Sequence, residues 1–157
     1  MTAGQPQPLQ TYQELVNRLY QQSNYDFVGV ALQAPVSPHL TRWLCVAGNQ
    51  NERFRRIVLR RGIGIAGLVL RTGAPFWHND ILALDLSDRL YSPIARAENL
   101  QAVVAVPIND GPLHTVSGVL LAGYRSGHHR VCEADADKLS QSLAYPKDGG
   151  DFVVRNS

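Results

Sequence analysis

The chain has 157 residues, of which 45% are hydrophobic, 18% charged and 8% aromatic. This length fits one domain of the usual ~100–200 residues, and the composition is that of a globular chain rather than a disordered one. Fifteen Lys and Arg against thirteen Asp and Glu leave a net charge of +2. The isoelectric point of about 8.7 is below the value of roughly 9 that marks nucleic-acid-binding domains, so we expect no nucleic-acid partner.

Membrane insertion, disulfides and metal binding find no support in the sequence. No uncharged stretch reaches the ~18 residues that a membrane helix requires, and the first residues lack a cationic start followed by an apolar run. The two cysteines, Cys45 and Cys132, are far apart in sequence and form no paired cysteine motif of the kind that binds a metal. We therefore expect a soluble cytoplasmic protein with no membrane contact, no disulfide framework and no metal.

The first half of the chain predicts a helix followed by two strands. Residues 1–8 are polar and carry two prolines, which predicts a flexible lead-in. Apolar residues then recur every three or four positions, which predicts an amphipathic helix with one buried stripe: Leu9, Tyr12, Leu15, Val16, Leu19 and Tyr20. Two apolar runs at 27–33 and 40–47, separated by prolines, predict an antiparallel pair of strands.

The second half begins with a glycine-led segment. Residues 62–73 predict a loop, a short buried helix and a glycine stop. A short strand at 74–78 and an irregular crossing at 80–99, with a helical piece at 93–98, follow. The runs 101–108 and 116–124 flank a strong turn signal and predict paired central strands. The stretch 132–143 predicts a closing helix, and the tail from 145 is expected to be loose.

These elements resemble the GAF domain family over nearly the whole chain. The resemblance is carried by the segment 61–75, the strand at 106–108, and the run 118–120 followed by 133–139. It implies an α/β (α+β) fold in which a central antiparallel sheet has helices on both faces and one ligand pocket. It also implies one GAF domain over residues 9–144, between the lead-in at 1–8 and a loose C-terminal tail at 145–157.

Within the family, three features resemble the stand-alone nitrate receptors of Nre nitrate and oxygen regulatory systems: Trp43 in the second strand, Ile65-Ala66 at the short helix and the sequence 91–94 in the crossing. The resemblance implies a nitrate receptor, not an enzyme and without a cofactor, that modulates an oxygen-sensing histidine kinase of a two-component system controlling nitrate respiration. The nitrate-binding residues that it implies are Trp43, Ile65, Ala66, Tyr91, Pro93 and Ile94. Ser92 departs from the family pattern, which leaves the register of Tyr91 open. The sequence also leaves the oligomeric state open, and a homodimer is one possibility.

The residues themselves allow two interpretations of this site. A helix start led by glycine brings unpaired backbone N–H groups and the positive end of the helix dipole close to an anion, but Gly64 and Gly67 would equally permit tight packing of a buried helix. Trp43 could donate its indole N–H or pack as core. A neutral lining would favour nitrate over strongly hydrated sulfate or phosphate.

Other functions remain as alternatives. Another small ligand, such as nitrite or a cyclic nucleotide, could occupy the pocket of a GAF module. An enzyme resembling the free methionine sulfoxide reductases of this fold would need three cysteines around one pocket, and the chain has two. The basic run at 53–61 is either a partner surface or a solvated edge.

Overall fold

The computed structural model describes residues 7–34 and 40–144. Residues 1–6 of the predicted lead-in and the whole predicted tail at 145–157 lie outside the described residues. The helices and strands follow in this order: α1 (Gln7–Gln22), β1 (Phe27–Gln33), β2 (Thr41–Ala47), β3 (Val58–Leu59), α2 (Gly64–Thr72), β4 (Phe76–His78), α3 (Pro93–Glu98), β5 (Ala102–Ile108), β6 (Gly118–Tyr124) and α4 (Glu133–Ala144).

The strands form one six-stranded sheet in the order β3-β2-β1-β6-β5-β4. Every neighbouring pair is antiparallel. The predicted pairs β1 with β2 and β5 with β6 are both present, and β1 and β6 join the two halves of the chain at the centre. The α+β architecture with an antiparallel sheet is confirmed.

Helices cover both faces of this sheet, and two separate hydrophobic cores result. One core contains α1 and α4 side chains and residues such as Val104 of β5; the other contains α2 and α3 side chains and residues such as Val103. Because both faces are covered, the central strands bury nearly every side chain, and β6 is buried at all seven positions. This explains why the sequence shows continuous apolar runs there rather than strict alternation.

The first helix differs from its prediction in where it begins and in the burial of one residue. α1 begins at Gln7 rather than at Leu9, two residues earlier than the sequence pattern indicates. Tyr20, expected on the buried stripe, is 40% exposed. Its ring lies beside Gly48 at the end of β2, because the position next to Leu19 is rotated away from the stripe towards the edge of the helix–sheet contact.

The elements around the site were predicted closely. α2 ends on Gly73, whose left-handed backbone (φ 71°) provides the glycine stop, and α3 has the predicted bounds of residues 93–98. The β5–β6 connection is longer than the tight turn that the sequence suggests. It occupies residues 109–117, with Leu113 and His114 at positive φ.

Candidate functional site

A cavity of about 220 Å³ lies between α2 and the crossing that leads into α3. It is lined by residues from β2, the β3 edge, the first turn of α2 and the crossing: Trp43, Ile57, Val58, Leu59, Arg60, Ile63, Gly64, Ala66, Gly67, Leu86, Tyr91, Ser92, Pro93 and Ile94. None of these residues is acidic, and Arg60 is the single charged one. The cavity therefore offers an apolar environment with a cation at one side.

The first turn of α2 is held by backbone contacts rather than by a capping side chain. The N-cap residue Ile63 makes no side-chain cap hydrogen bond. The amide of Gly64 donates to the carbonyl of Arg89 at 2.8 Å. Within the described residues, the amides of Ile65 and Ala66 find no acceptor outside the helix. Two first-turn donors thus remain at the positive end of the helix dipole.

The glycines of this turn are required by close backbone approaches. Gly64 has φ +77°, and a Cβ there would lie 2.7 Å from the carbonyl oxygen of Tyr91. A Cβ on Gly67 would clash with the carbonyl oxygen of Arg60. Both contacts are with backbone, which cannot move aside as a flexible side chain could. Tight packing and exposure of the helix start are therefore two consequences of the same glycines.

Trp43 reaches the cavity because of a β-bulge. The β1–β2 register passes from Val30 opposite Cys45 to Ala31 opposite Trp43, so Leu44 is an extra residue on β2. Trp43 consequently packs with the α2 and α3 side of the sheet, whereas Cys45 packs with the α1 and α4 side. A strictly alternating strand would place both on the same face.

The indole of Trp43 carries an unsatisfied donor. The side chain is 2% exposed, and its Nε1 is buried without a hydrogen-bond partner among the described residues. A buried polar group without a partner costs about 1–3 kcal/mol, so such a group at a cavity requires an explanation. An acceptor bound in the cavity would satisfy it.

The crossing supplies the opposite wall and is anchored at several points. Ser92 is the N-cap of α3, and its hydroxyl accepts a hydrogen bond from the amide of Ala95 at 3.3 Å. The Arg96 guanidinium lies 5.4 Å from the ring centroid of Tyr91 and donates to the carbonyl of Leu84 at 3.1 Å. These contacts hold Tyr91, Pro93 and Ile94 at the cavity.

The crossing also contains a small side-chain cluster beside Arg96. The hydroxyl and the amide of Ser87 both donate to the Asp85 carboxylate, at 2.6 and 3.0 Å. These hydrogen bonds, with a smaller contribution from the Arg96 charge, hold the pKa of the Asp85 carboxyl below its ordinary value. Asp85 is therefore an anion that helps to fix the exposed part of the crossing.

The far end of α3 is fixed by a buried ion pair. Glu98 is fully buried. Its Oε1 accepts hydrogen bonds from the Arg125 guanidinium at 2.6 Å and from the backbone N–H of Gln50 at 2.7 Å. Arg125 also donates to the carbonyls of Glu98, Asp26 and Gly48. One guanidinium thus ties α3 to the ends of β1, β2 and β6.

The structure brings five of the six predicted nitrate-binding residues together. Trp43, Ala66, Tyr91, Pro93 and Ile94 all line the cavity. The side chain of Ile65 does not: it is fully buried in the core beneath α2. The reason is helical geometry, because Ile65 precedes Ala66 by about 100° around the axis and points towards the sheet.

Sequence reasoning missed several lining residues. Ile63 and Leu86 are exposed apolar side chains at the opening of the cavity, and Arg60 was interpreted only as part of a basic run. Ile63 could have been identified from its position between two glycines, since a large apolar residue in a loop that otherwise lacks side chains needs a packing partner. Nothing in the local sequence around Leu86 marked it.

The thiols lie away from this cavity. Cys45 is buried on the opposite face of the sheet, and burial raises the pKa of its thiol to about 11. Cys132 is exposed next to the start of α4. Over residues 7–34 and 40–144, no three His, Cys, Asp or Glu side chains come together as metal ligands would. In the same residues, no helix combines the length and apolarity needed to cross a membrane.

Comparison with solved structures identifies the class of protein. The chain is 37% identical to a Staphylococcus aureus NreA protein mutated in its nitrate-binding site, with a TM-score of 0.65 over 75% of this chain and 86% of that one. A second structure of the mutated protein is 33% identical, with a TM-score of 0.67 over 82% and 98% of the two chains. No protein-family model and no curated protein matches the chain.

More distant structures share the fold alone. A GAF domain/HD domain protein from Geobacter sulfurreducens is 16% identical, with a TM-score of 0.69 over 89% of both chains. A free methionine-R-sulfoxide reductase from Neisseria meningitidis is 18% identical, with a TM-score of 0.69 over 90% of this chain and 77% of that one. The chain belongs to the GAF domain family and within it is similar to NreA.

Proposed function

We propose that this protein is a nitrate receptor that binds one nitrate ion in the cavity between α2 and the crossing. The observation that carries the proposal is the buried, unpartnered indole N–H of Trp43 in the same cavity as the uncapped first turn of α2. Hydrogen-bond donors without internal acceptors on two sides of a small cavity suit a small anion with several oxygen acceptors.

The charge and polarity of the lining support nitrate among small anions. No lining carboxylate repels an anion, and Arg60 contributes favourable charge at one side. The remaining lining is mostly apolar, so a bound anion loses much of its hydration shell. This cost is greater for sulfate and phosphate than for the weakly hydrated nitrate ion. Similarity to NreA, a protein with a nitrate-binding site, supports the same ligand.

The alternative ligands fit less well. The cavity of about 220 Å³ is smaller than the roughly 300–1,000 Å³ of pockets for larger ligands, which disfavours a cyclic nucleotide. A sulfoxide-reducing enzyme would need a reactive thiolate at the substrate. Cys45 is across the sheet with a raised pKa, and Cys132 does not line the cavity. Binding without catalysis is therefore the function that we propose.

The signalling part of the proposal is that nitrate binding changes the protein's action on a sensor histidine kinase in the cytoplasm. A ligand shifts such an equilibrium only if it binds two states of the receptor with different affinity. The crossing is our candidate for the element that differs, because it contributes Tyr91, Pro93 and Ile94 to the cavity and is irregular before α3. Nitrate would order it.

Calorimetric titration tests the ligand. We expect one nitrate per chain with a Kd in about the micromolar range, because only one cation accompanies the neutral donors. Nitrite, chloride, sulfate, a cyclic-nucleotide panel and free methionine sulfoxide are titrated in parallel. Absence of heat with millimolar nitrate, together with heat from a nucleotide or the sulfoxide, would contradict the proposal.

A further inference from the structure

The opening of the cavity forms an unusual surface, which we call the cavity-mouth surface and define by Arg60, Arg61, Ile63, Leu86 and Arg89. Ile63 is 57% exposed and Leu86 is 79% exposed, although both are large apolar residues. Both also line the cavity, so they lie at one opening and not at separate places on the protein. Adjacent exposed apolar side chains on an otherwise charged surface are characteristic of binding sites.

The segments that form this surface are rich in positive charge. Between residues 53 and 96 the sequence carries eight arginines and three aspartates. In the described part of the chain, Arg55 is the one member of these eight that forms an ion pair, with Glu52. Apart from Arg55 and from Arg96, whose charge acts on Asp85, the described residues give these arginines no internal counter-ion. The remaining six repel one another, and an external negative charge would relieve the repulsion.

These arginines converge on the loop that starts α2. Arg60 lines the cavity itself, and Arg61 donates to the carbonyl of Leu70 at 3.2 Å. The Arg71 guanidinium lies against Gly62, and the Arg89 carbonyl accepts the amide of Gly64. Arg60 therefore lies at the cavity opening itself, and Arg61, Arg71 and Arg89 belong to the loop, the helix and the crossing that meet beside it.

We propose that the cavity-mouth surface docks an acidic segment of a partner protein, which covers Ile63 and Leu86 with an apolar side chain and places carboxylates on the surrounding arginines. An apolar centre inside a polar, charged rim is the usual anatomy of a protein interface. A nucleic acid would use the arginines but would leave the two exposed aliphatic side chains without an apolar partner. This favours a protein as the occupant.

A second copy of this chain is a weaker occupant. Its acidic residues at the start of α4 include Asp135, but that carboxylate already accepts hydrogen bonds from the Tyr25 hydroxyl at 2.6 Å and the Cys132 amide at 2.9 Å. Docking through Asp135 would break these contacts, and although Glu133 and Asp137 are exposed, a second copy would also bring the same net charge of +2. A separate acidic partner has no such cost.

The docking surface adjoins the proposed nitrate cavity, since Arg60, Ile63 and Leu86 belong to both. A partner seated there would close the cavity opening, and a nitrate-dependent rearrangement of the crossing would move Leu86. This link between ligand and partner rests on the proposed function. The docking itself rests only on exposed apolar area and unpaired charge.

Fluorescence anisotropy tests the docking with a labelled amphipathic peptide that has glutamates on one face and leucines on the other. We expect it to bind the native protein, and rising sodium acetate to weaken the binding because the arginines are exposed. The double variant Arg61→Glu/Arg89→Glu and the single variant Leu86→Ser should each bind at least about tenfold more weakly. The control Arg18→Glu/Arg130→Glu changes exposed arginines elsewhere and should bind as the native protein does.

The proposal would be overturned if a peptide with lysine in place of glutamate bound equally well, or if the control variant lost as much binding as the test variants. It would also be overturned if duplex DNA or anionic vesicles bound more tightly than the peptide and still bound to Leu86→Ser. A native dimer that Arg61→Glu/Arg89→Glu converts to monomer in sedimentation would overturn it as well. Calorimetry with nitrate on the same samples separates the two proposals. Nitrate binding without peptide binding contradicts the docking. Peptide binding without nitrate binding supports the docking and contradicts the proposed function.

Discussion

The α-carbon of Gly64 and the carbonyl oxygen of Tyr91 approach so closely that a Cβ on Gly64 would lie 2.7 Å from that oxygen. The first residue of α2 and the crossing are therefore in direct backbone contact. Because α2 offers the amide donors and the crossing forms the facing wall, this contact sets the width of the proposed nitrate site.

The substitution Gly64→Ala tests this contact. We expect it to lower the free energy of unfolding by about 1–3 kcal/mol, because alanine is strained at φ +77°, and to weaken nitrate binding by widening the site. Denaturant unfolding and calorimetry measure the two effects. Gly127→Ala is the control, since nothing lies within 4 Å of a Cβ there. Nitrate affinity unchanged in Gly64→Ala would show that the contact does not shape the site.

The substitution Trp43→Phe removes the indole donor while keeping an aromatic ring. A hydrogen bond to a charged group contributes about 1.5–3 kcal/mol, so we expect nitrate to bind roughly ten- to a hundredfold more weakly. Trp77→Phe, in the edge strand β4 at a 38% exposed position, is the matched control. If both variants bind nitrate as tightly as the native protein does, the Trp43 N–H is not a ligand donor.

The substitution Ala66→Leu fills the cavity next to the free amides of α2. Ala66 is 5% exposed and lines the cavity, so a larger side chain should abolish nitrate binding, with an overpacking cost in stability of about 1–3 kcal/mol. Circular dichroism checks that the fold persists, and Ala134→Leu on the exposed face of α4 is the control. A folded Ala66→Leu variant with native affinity would place the site elsewhere.

Hydrogen exchange tests the role of the crossing. We expect amides in residues 85–99 to exchange more slowly when nitrate is added, because the ligand holds the crossing against α2, while the already buried β6 should not change. Binding to the kinase should change over the same nitrate concentrations, and Tyr91→Ala should separate the two effects. Exchange that is indifferent to nitrate throughout 85–99 would contradict the proposed ordering.

The substitution Arg125→Ala tests the anchor of α3. Glu98 is fully buried, so removing its partner leaves an uncompensated carboxylate and should lower the free energy of unfolding by about 3–5 kcal/mol. The exposed pair of Arg55 with Glu52 gives the comparison: Arg55→Ala should cost at most about 1 kcal/mol. Equal costs for both variants would refute the view that Arg125 is a structural clamp.

Local sequence patterns were sufficient for most elements of the fold. The glycine stop at Gly73, the helical piece at 93–98 and the apolar runs of β5 and β6 each encode their structure within a few residues. The features that differed from the prediction are those that packing decides. Tyr20 follows the helical pattern, yet its exposure depends on how closely α1 approaches the sheet, which no periodicity records.

The site required the tertiary structure. The sequence alone predicted a short helix led by glycine at residues 62–67, but it left open whether these glycines expose backbone donors or only permit tight packing. The place of Trp43 at the cavity was implied by the family resemblance alone, since alternation would place Trp43 and Cys45 on one face and only the bulge at Leu44 separates them. Leu86 and Arg60 meet at the cavity opening through contacts between distant segments. Such meetings depend on how the chain folds back on itself, and the free energy that fixes them comes from burial on both faces of the sheet.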